Sequence, residues 1–95
     1  MDPIREQIRT VFAEAVGLPP EQVFSEPLTL AELMMRAPAL GNSVDLMEAF
    51  ARTANAVRKA HGIRIRLPAY PLETPVSEVL DAFMSEVALA RLESA

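Results

Sequence analysis

The sequence predicts an all-α protein, a small antiparallel bundle of three to four helices with a long loop between the first and second. Three observations lead there. Hydrophobic residues make up 51% of the chain but aromatics only 5%, with no Trp, so the core must be aliphatic; abundant Ala and only three Gly favour helix over strand. Apolar residues recur at three- and four-residue spacing over three long stretches. The eight Pro and three Gly fall at the edges of those stretches or between them. At 95 residues, the chain reads as one domain, 1–95. A domain of this size buries about two-thirds of its unfolded surface, so its core is modest.

The first helix is expected over 3–16. Pro3 suits a first turn, where its missing N–H costs nothing, and Asp2 is a suitable cap before it. Ile4, Ile8, Val11, Phe12, Ala15 and Val16 share one face; Gly17 ends the helix and Pro19-Pro20 blocks its return. Residues 18–41 read as a long loop plugged into the core by Val23, Phe24 and Leu28. A short helix within it, over 30–37, stops before Pro38.

The longest helix is expected over 43–61, which contains no Gly or Pro. Val44, Met47, Phe50, Ala51, Ala54 and Val57 are its expected apolar stripe. Arg58, Lys59 and His61 gather at its end, where cations suit the helix dipole, and Gly62 stops it. Ile63-Arg64-Ile65-Arg66-Leu67 alternates like a strand but has no partner strand, so an extended loop with inward isoleucines is expected. Pro68-Ala69-Tyr70-Pro71 allows at most one irregular turn. In the last helix Thr74 caps and Pro75 takes the first position. Val76, Val79, Leu80, Phe83, Met84 and Val87 face inward, and residues 91–95 fray.

Composition also narrows function. The net charge of −4 argues against a general nucleic-acid binder, which needs a basic surface to neutralise phosphates. Without Cys there are neither disulfides nor thiolate metal sites. No apolar run reaches the length of a membrane span, and the N-terminus does not look like a signal peptide, so a cytoplasmic monomer is expected.

The chemistry concentrates at Leu40-Gly41-Asn42-Ser43-Val44-Asp45-Leu46-Met47-Glu48. A small residue and a capping residue lead into a serine, which places an accessible hydroxyl at a helix N-terminus. It is a poor place for a core residue and a good place to attach something. Position alone equally allows Ser43 to be a helix cap. A hydrolase nucleophile is excluded by distance: the only histidine, His61, lies about 27 Å away if one helix joins them. Asp45 and Glu48 share a face and read as a solvated acidic face or, with no pocket in view, a carboxylate pair. Arg58, Lys59, Arg64 and Arg66 could bind an anionic partner or a phosphate, or could simply be solvated. Met34, Met35, Met47 and Met84 could line a soft pocket or fill the core, and Tyr70 could cover it.

Taken together, Val16-Gly17-Leu18-Pro19-Pro20-Glu21-Gln22-Val23, Ser43-Val44-Asp45-Leu46-Met47-Glu48 and Gly62-Ile63-Arg64-Ile65, in that order, resemble the acyl carrier protein family over nearly the whole chain. The resemblance implies a non-enzymatic carrier of acyl, aminoacyl or polyketide-type thioesters in fatty-acid or polyketide biosynthesis. The cofactor would be a covalent 4′-phosphopantetheine arm from coenzyme A on Ser43, beside Asn42. Partners would be a phosphopantetheinyl transferase, a loading ligase for acyl or aminoacyl groups, and downstream synthase enzymes, docking on Val44, Asp45, Met47 and Glu48.

Four departures point to a specialised member: Asn42 stands where the family has Asp, Gly41 lies one place closer to the serine, the preceding loop is longer, and the second long helix is about one turn longer. That helix also carries Arg52, Arg58 and Lys59 against Asp45 and Glu48 over 44–60, three bases minus two acids, net +1, where the family is acidic. The competing reading is a carrier-like adaptor that has lost the arm and acts only by protein–protein interaction.

Overall fold

The computed structural model describes residues 3–24, 27–67 and 70–94, the side chains at 93 and 94 excepted. Its elements are α1 (Pro3–Val16), α2 (Pro20–Phe24), α3 (Leu30–Arg36), α4 (Ser43–His61) and α5 (Val76–Ser94). The fold is all-α, as expected, with no strand among the described residues beyond a single antiparallel bridge between Thr29 and Pro75.

Glycines end two helices. Gly17 and Gly62 sit in the left-handed region, at φ 78° and 70°, where an L side chain would be strained. Their N–H groups close the last turns, Gly17 onto Ala13 and Gly62 onto Arg58. The Asp2 cap lies outside the described residues, as do Pro68 and Ala69 of the expected irregular turn.

The core forms where α1, α4 and α5 turn their apolar faces together. Ile4, Ile8, Phe12 and Val16 of α1 are buried with Leu46, Ala49 and Val57 of α4 and with Val76, Val79, Leu80, Phe83 and Val87 of α5. Phe12 stacks on Phe50, with centroids 5.5 Å apart and planes at 16°, and lies tilted against Phe24 at 6.1 Å. The helix order is legible in two contacts. Gln7 meets His61 and Phe12 meets Phe50, so α1 and α4 run antiparallel. Val23, Leu28, Leu30, Leu33 and Leu40 plug the connection between them.

Four expectations are corrected. The loop over 18–41 contains a second helical segment, α2, because Pro20 occupies its first helical position rather than blocking a helix. The buried face of α4 is Leu46, Ala49, Thr53 and Val57, while Val44 and Met47 are 58% and 61% exposed and Ala51 is exposed. The helix has apolar side chains on two faces, and Thr53 joins the buried one because its hydroxyl donates to the Ala49 carbonyl at 2.8 Å, so no polar atom is left unsatisfied. The last helix begins at Val76, since Pro75 pairs with Thr29, and it continues through Ser94 instead of fraying at 91. Of the methionines, Met34 and Met84 are half-buried against the core, and Met35 is 88% exposed.

The start of α3 organises the approach to α5. Thr29 and Glu32 form a reciprocal capping box: the Thr29 hydroxyl accepts from the Glu32 N–H, and the Thr29 N–H donates to the Glu32 carboxylate. The first two helical N–H groups donate across the fold, Leu30 to the Thr74 carbonyl and Ala31 to the Leu72 carbonyl, both at 2.9 Å. The Val76 N–H returns to the Leu28 carbonyl at 2.8 Å. Donors that a helix start leaves open thus hold the segment at 72–74 in place.

Candidate functional site

The start of α4 is built by its neighbours, and Ser43 takes no part in the capping. Asn42 is the cap: its backbone is extended (φ −160°, ψ 178°) and its Oδ1 accepts from the Asp45 N–H at 3.0 Å. Asp45 answers by accepting the Gly41 N–H on Oδ2 at 2.9 Å. A Cβ at Gly41 would stand 3.3 Å from that oxygen, so a small residue keeps this return bond unstrained. Ser43 is therefore the first helical residue, and it is exposed. Among the described residues its hydroxyl has no hydrogen-bond partner, and the N–H groups of Ser43 and Val44 have no acceptor. A serine needed as a cap would have its oxygen engaged; this one presents a free hydroxyl beside two free donors.

From Ser43 an apolar groove runs along α4. Its near wall is Leu46, Met47, Phe50, Ala51 and Ala54, its far wall is Ile65, Leu67, Tyr70 and Leu72, and its volume is about 290 Å³. That lies at the small end of small-molecule sites. The far wall stands in place because α3 holds the Leu72 and Thr74 carbonyls and because Tyr70 meets Phe50 edge-on at 6.3 Å. Burial pushes the Tyr70 phenol up from its ordinary value, with the Glu86 and Glu78 carboxylates adding to the shift.

Farther along, Ala51, Ala54 and Ile65 also line a more open hollow of about 430 Å³, completed by Asn55, Arg58, Arg64 and Arg66. The Arg58 guanidinium donates twice to the Asn55 amide oxygen, at 2.7 and 3.2 Å. Arg58 lies about 22 Å along the helix from Ser43, too far to hold a phosphate there. Lys59 does not line the hollow.

The predicted site residues fall into three groups. Ser43 and Met47 border the groove. Asn42 and Asp45 build the turn that presents Ser43, so the Asp45 carboxylate is partly committed to Gly41. Val44 and Glu48 are exposed beside it. His61 reaches the Gln7 side chain at 2.8 Å rather than the terminal carbonyls of its own helix, and unbroken α4 keeps it about 27 Å from Ser43. No group of three or more His, Asp or Glu that could hold a metal ion is found among the described residues, and none of their helices is long and apolar enough to cross a membrane.

The groove's far wall was missed in sequence. Alternation at 63–67 says that Ile63, Ile65 and Leu67 share a side, and all three are half-buried in an extended segment, but alternation cannot say which helix they face. No family model matches the chain, and no curated protein and no solved structure matches it either.

Proposed function

We propose that this chain is a phosphopantetheine-dependent carrier of acyl, aminoacyl or polyketide-type groups, with Ser43 as the tether and no catalysis of its own. The observation that carries the reading is the placement of Ser43. Its hydroxyl is exposed, relieved of capping by Asn42, and stands at the mouth of an apolar groove. The two free N–H groups of the first turn favour the phosphodiester that joins arm to serine. The arm's thiol holds the cargo as a thioester, which the absence of Cys from the chain does not impede. A phosphopantetheinyl transferase supplies the arm from coenzyme A, and a loading ligase and downstream synthase enzymes meet the surface of Val44, Met47, Glu48 and the free edge of Asp45.

The exposure of Val44 and Met47 equally suits the rival reading, an adaptor that has lost the arm and binds proteins through the same surface. Intact-protein mass separates the two. Coexpression with a broad-specificity transferase should add one arm, and Ser43→Ala should abolish the addition. No addition with any transferase, or addition at another serine, would leave the adaptor.

A further inference from the structure

The groove has a polarity along its length. Next to Ser43 its walls are apolar. At the other end, past the shared Ala51, Ala54 and Ile65, it opens between Arg58, Arg64 and Arg66. All three are exposed, and among the described residues none is in an ion pair; the partner of Arg58 is the uncharged Asn55. A carboxylate also stands at this end: Glu86 accepts the Arg66 backbone N–H at 3.3 Å, a bond to backbone rather than to a guanidinium.

From this juxtaposition we infer that the groove is selective for an acyl chain whose far end is anionic, a carboxylate in the simplest case. The alkyl part lies on Phe50, Ala51, Ala54 and Ile65, and the terminal carboxylate meets the guanidiniums, which bind carboxylates in a planar, two-pronged geometry. Charge complementarity decides the occupant. A plain alkyl end would leave the cations without a partner and would place methyl groups in the wet part of the hollow; an ammonium end would be repelled. The volume suits one chain rather than a partner helix. That the chain arrives as tethered cargo rests on the carrier reading above. The preference of the groove for an anionic end does not, and the test is chosen accordingly.

The test uses the unmodified 95-residue chain with free ligands, dodecanoate and dodecylammonium below their micelle concentrations and dodecanol below its solubility limit, followed by NMR titration. Dodecanoate should bind roughly five-fold more tightly than dodecanol, the gain expected of a solvent-exposed charge pairing. Dodecylammonium should bind weakest. Shifts should include Phe50, Ala54 and Ile65 as well as Arg58 and Arg64. The triple variant Arg58→Gln, Arg64→Gln, Arg66→Gln should keep dodecanol affinity and lose the preference. Added salt should erode the preference in the native chain without weakening dodecanol, a readout independent of any variant's folding.

Equal affinity for the three ligands, or a preference surviving the triple variant, would overturn the proposal. So would shifts confined to the arginines, which would mean a surface anion site only, or the same shifts appearing with protein concentration alone, which would make a second copy the occupant. Failure of Ser43 to accept an arm would sink the carrier reading and leave this result standing.

Discussion

The two apolar faces of α4 are built from similar residues and end in different states. Ala49, Thr53 and Val57 are closed in the core, each 3% exposed or less, and Leu46, equally buried, lies between the two faces and also borders the groove. Met47, Ala51 and Ala54 border an open groove whose other side is Ile65, Leu67, Tyr70 and Leu72, outside any helix. What differs is the cover. A helix opposite offers side chains at every turn that fill the spaces of its neighbour. An extended segment, anchored through the Leu72 and Thr74 carbonyls and one Tyr70–Phe50 contact, cannot fill the space beside two alanines. Whether an apolar helix face becomes core or site is thus decided by the regularity of what lies over it.

The largest effect should come from the closed side. Phe12→Ala removes a ring that touches both Phe24 and Phe50 and is 3% exposed. A loss of about 3–5 kcal/mol is expected in urea denaturation, a large fraction of the stability of a domain this small. Phe83→Ala, at 1% exposure, should fall in the same range. A loss below about 1 kcal/mol at either position would mean that the closed face is loosely packed, and the contrast with the groove would disappear.

A matched pair of insertions tests the contrast directly. Ala49→Leu forces a larger side chain into a site 3% exposed and should cost about 1–3 kcal/mol. Ala54→Leu, on the open face, should grow into the groove at a cost under about 1 kcal/mol while abolishing binding of an alkyl ligand. Equal costs at the two alanines would show that the groove is not an open space in solution.

The same contrast explains what could be read from sequence. The ends of α1 and α4 were legible because Gly17 and Gly62 need a left-handed backbone that other residues avoid. The short helix after Thr29 was legible because Pro38 bars its continuation. Helix α2 was not, since the pair Pro19-Pro20 serves equally to stop one helix and to start another. The buried face of α4 was legible only in part, at Val57 and the half-buried Phe50 and Ala54: polarity alone favours Met47 over Thr53 for the interior, and the back-bond from Thr53 to the Ala49 carbonyl reverses that choice. For the candidate site, Gly41-Asn42-Ser43 marked the position of the hydroxyl, but the groove also needed Ile65, Leu67, Tyr70 and Leu72, and the Leu72 carbonyl is held by a bond to α3 that no local pattern announces.

At the head of α4 the expected effects are smaller and separate structure from function. Asn42→Ala removes the cap and should cost about 1 kcal/mol. Ser43→Ala removes a hydroxyl with no described partner, so stability should change by less than about 0.5 kcal/mol while arm attachment is lost. If Ser43→Ala proved as destabilising as Asn42→Ala, the hydroxyl would be part of the cap, and the distinction drawn between the two residues would fail.

The smallest effect on the fold, and the most specific for recognition, is expected at Glu48. It is exposed, one turn past Asp45, and no described side chain pairs with it, so Glu48→Lys should leave the unfolding midpoint nearly unchanged. It does reverse the charge of the acidic end of a helix whose other end is basic at Arg58 and Lys59. A partner fitted to that bipolar surface would meet a like charge where it had met an opposite one, which slows encounter more than it speeds dissociation. The transferase is the partner at hand. Its rate of arm transfer to Ser43 at subsaturating protein should fall several-fold in Glu48→Lys at low ionic strength, and the difference should shrink as salt shortens the reach of the charge. A salt-independent loss would point to a local distortion near Ser43 instead. An unchanged rate at low salt would move the docking surface away from the head of α4, and the exposed Pro38 and Ala39 before it would be the next place to substitute.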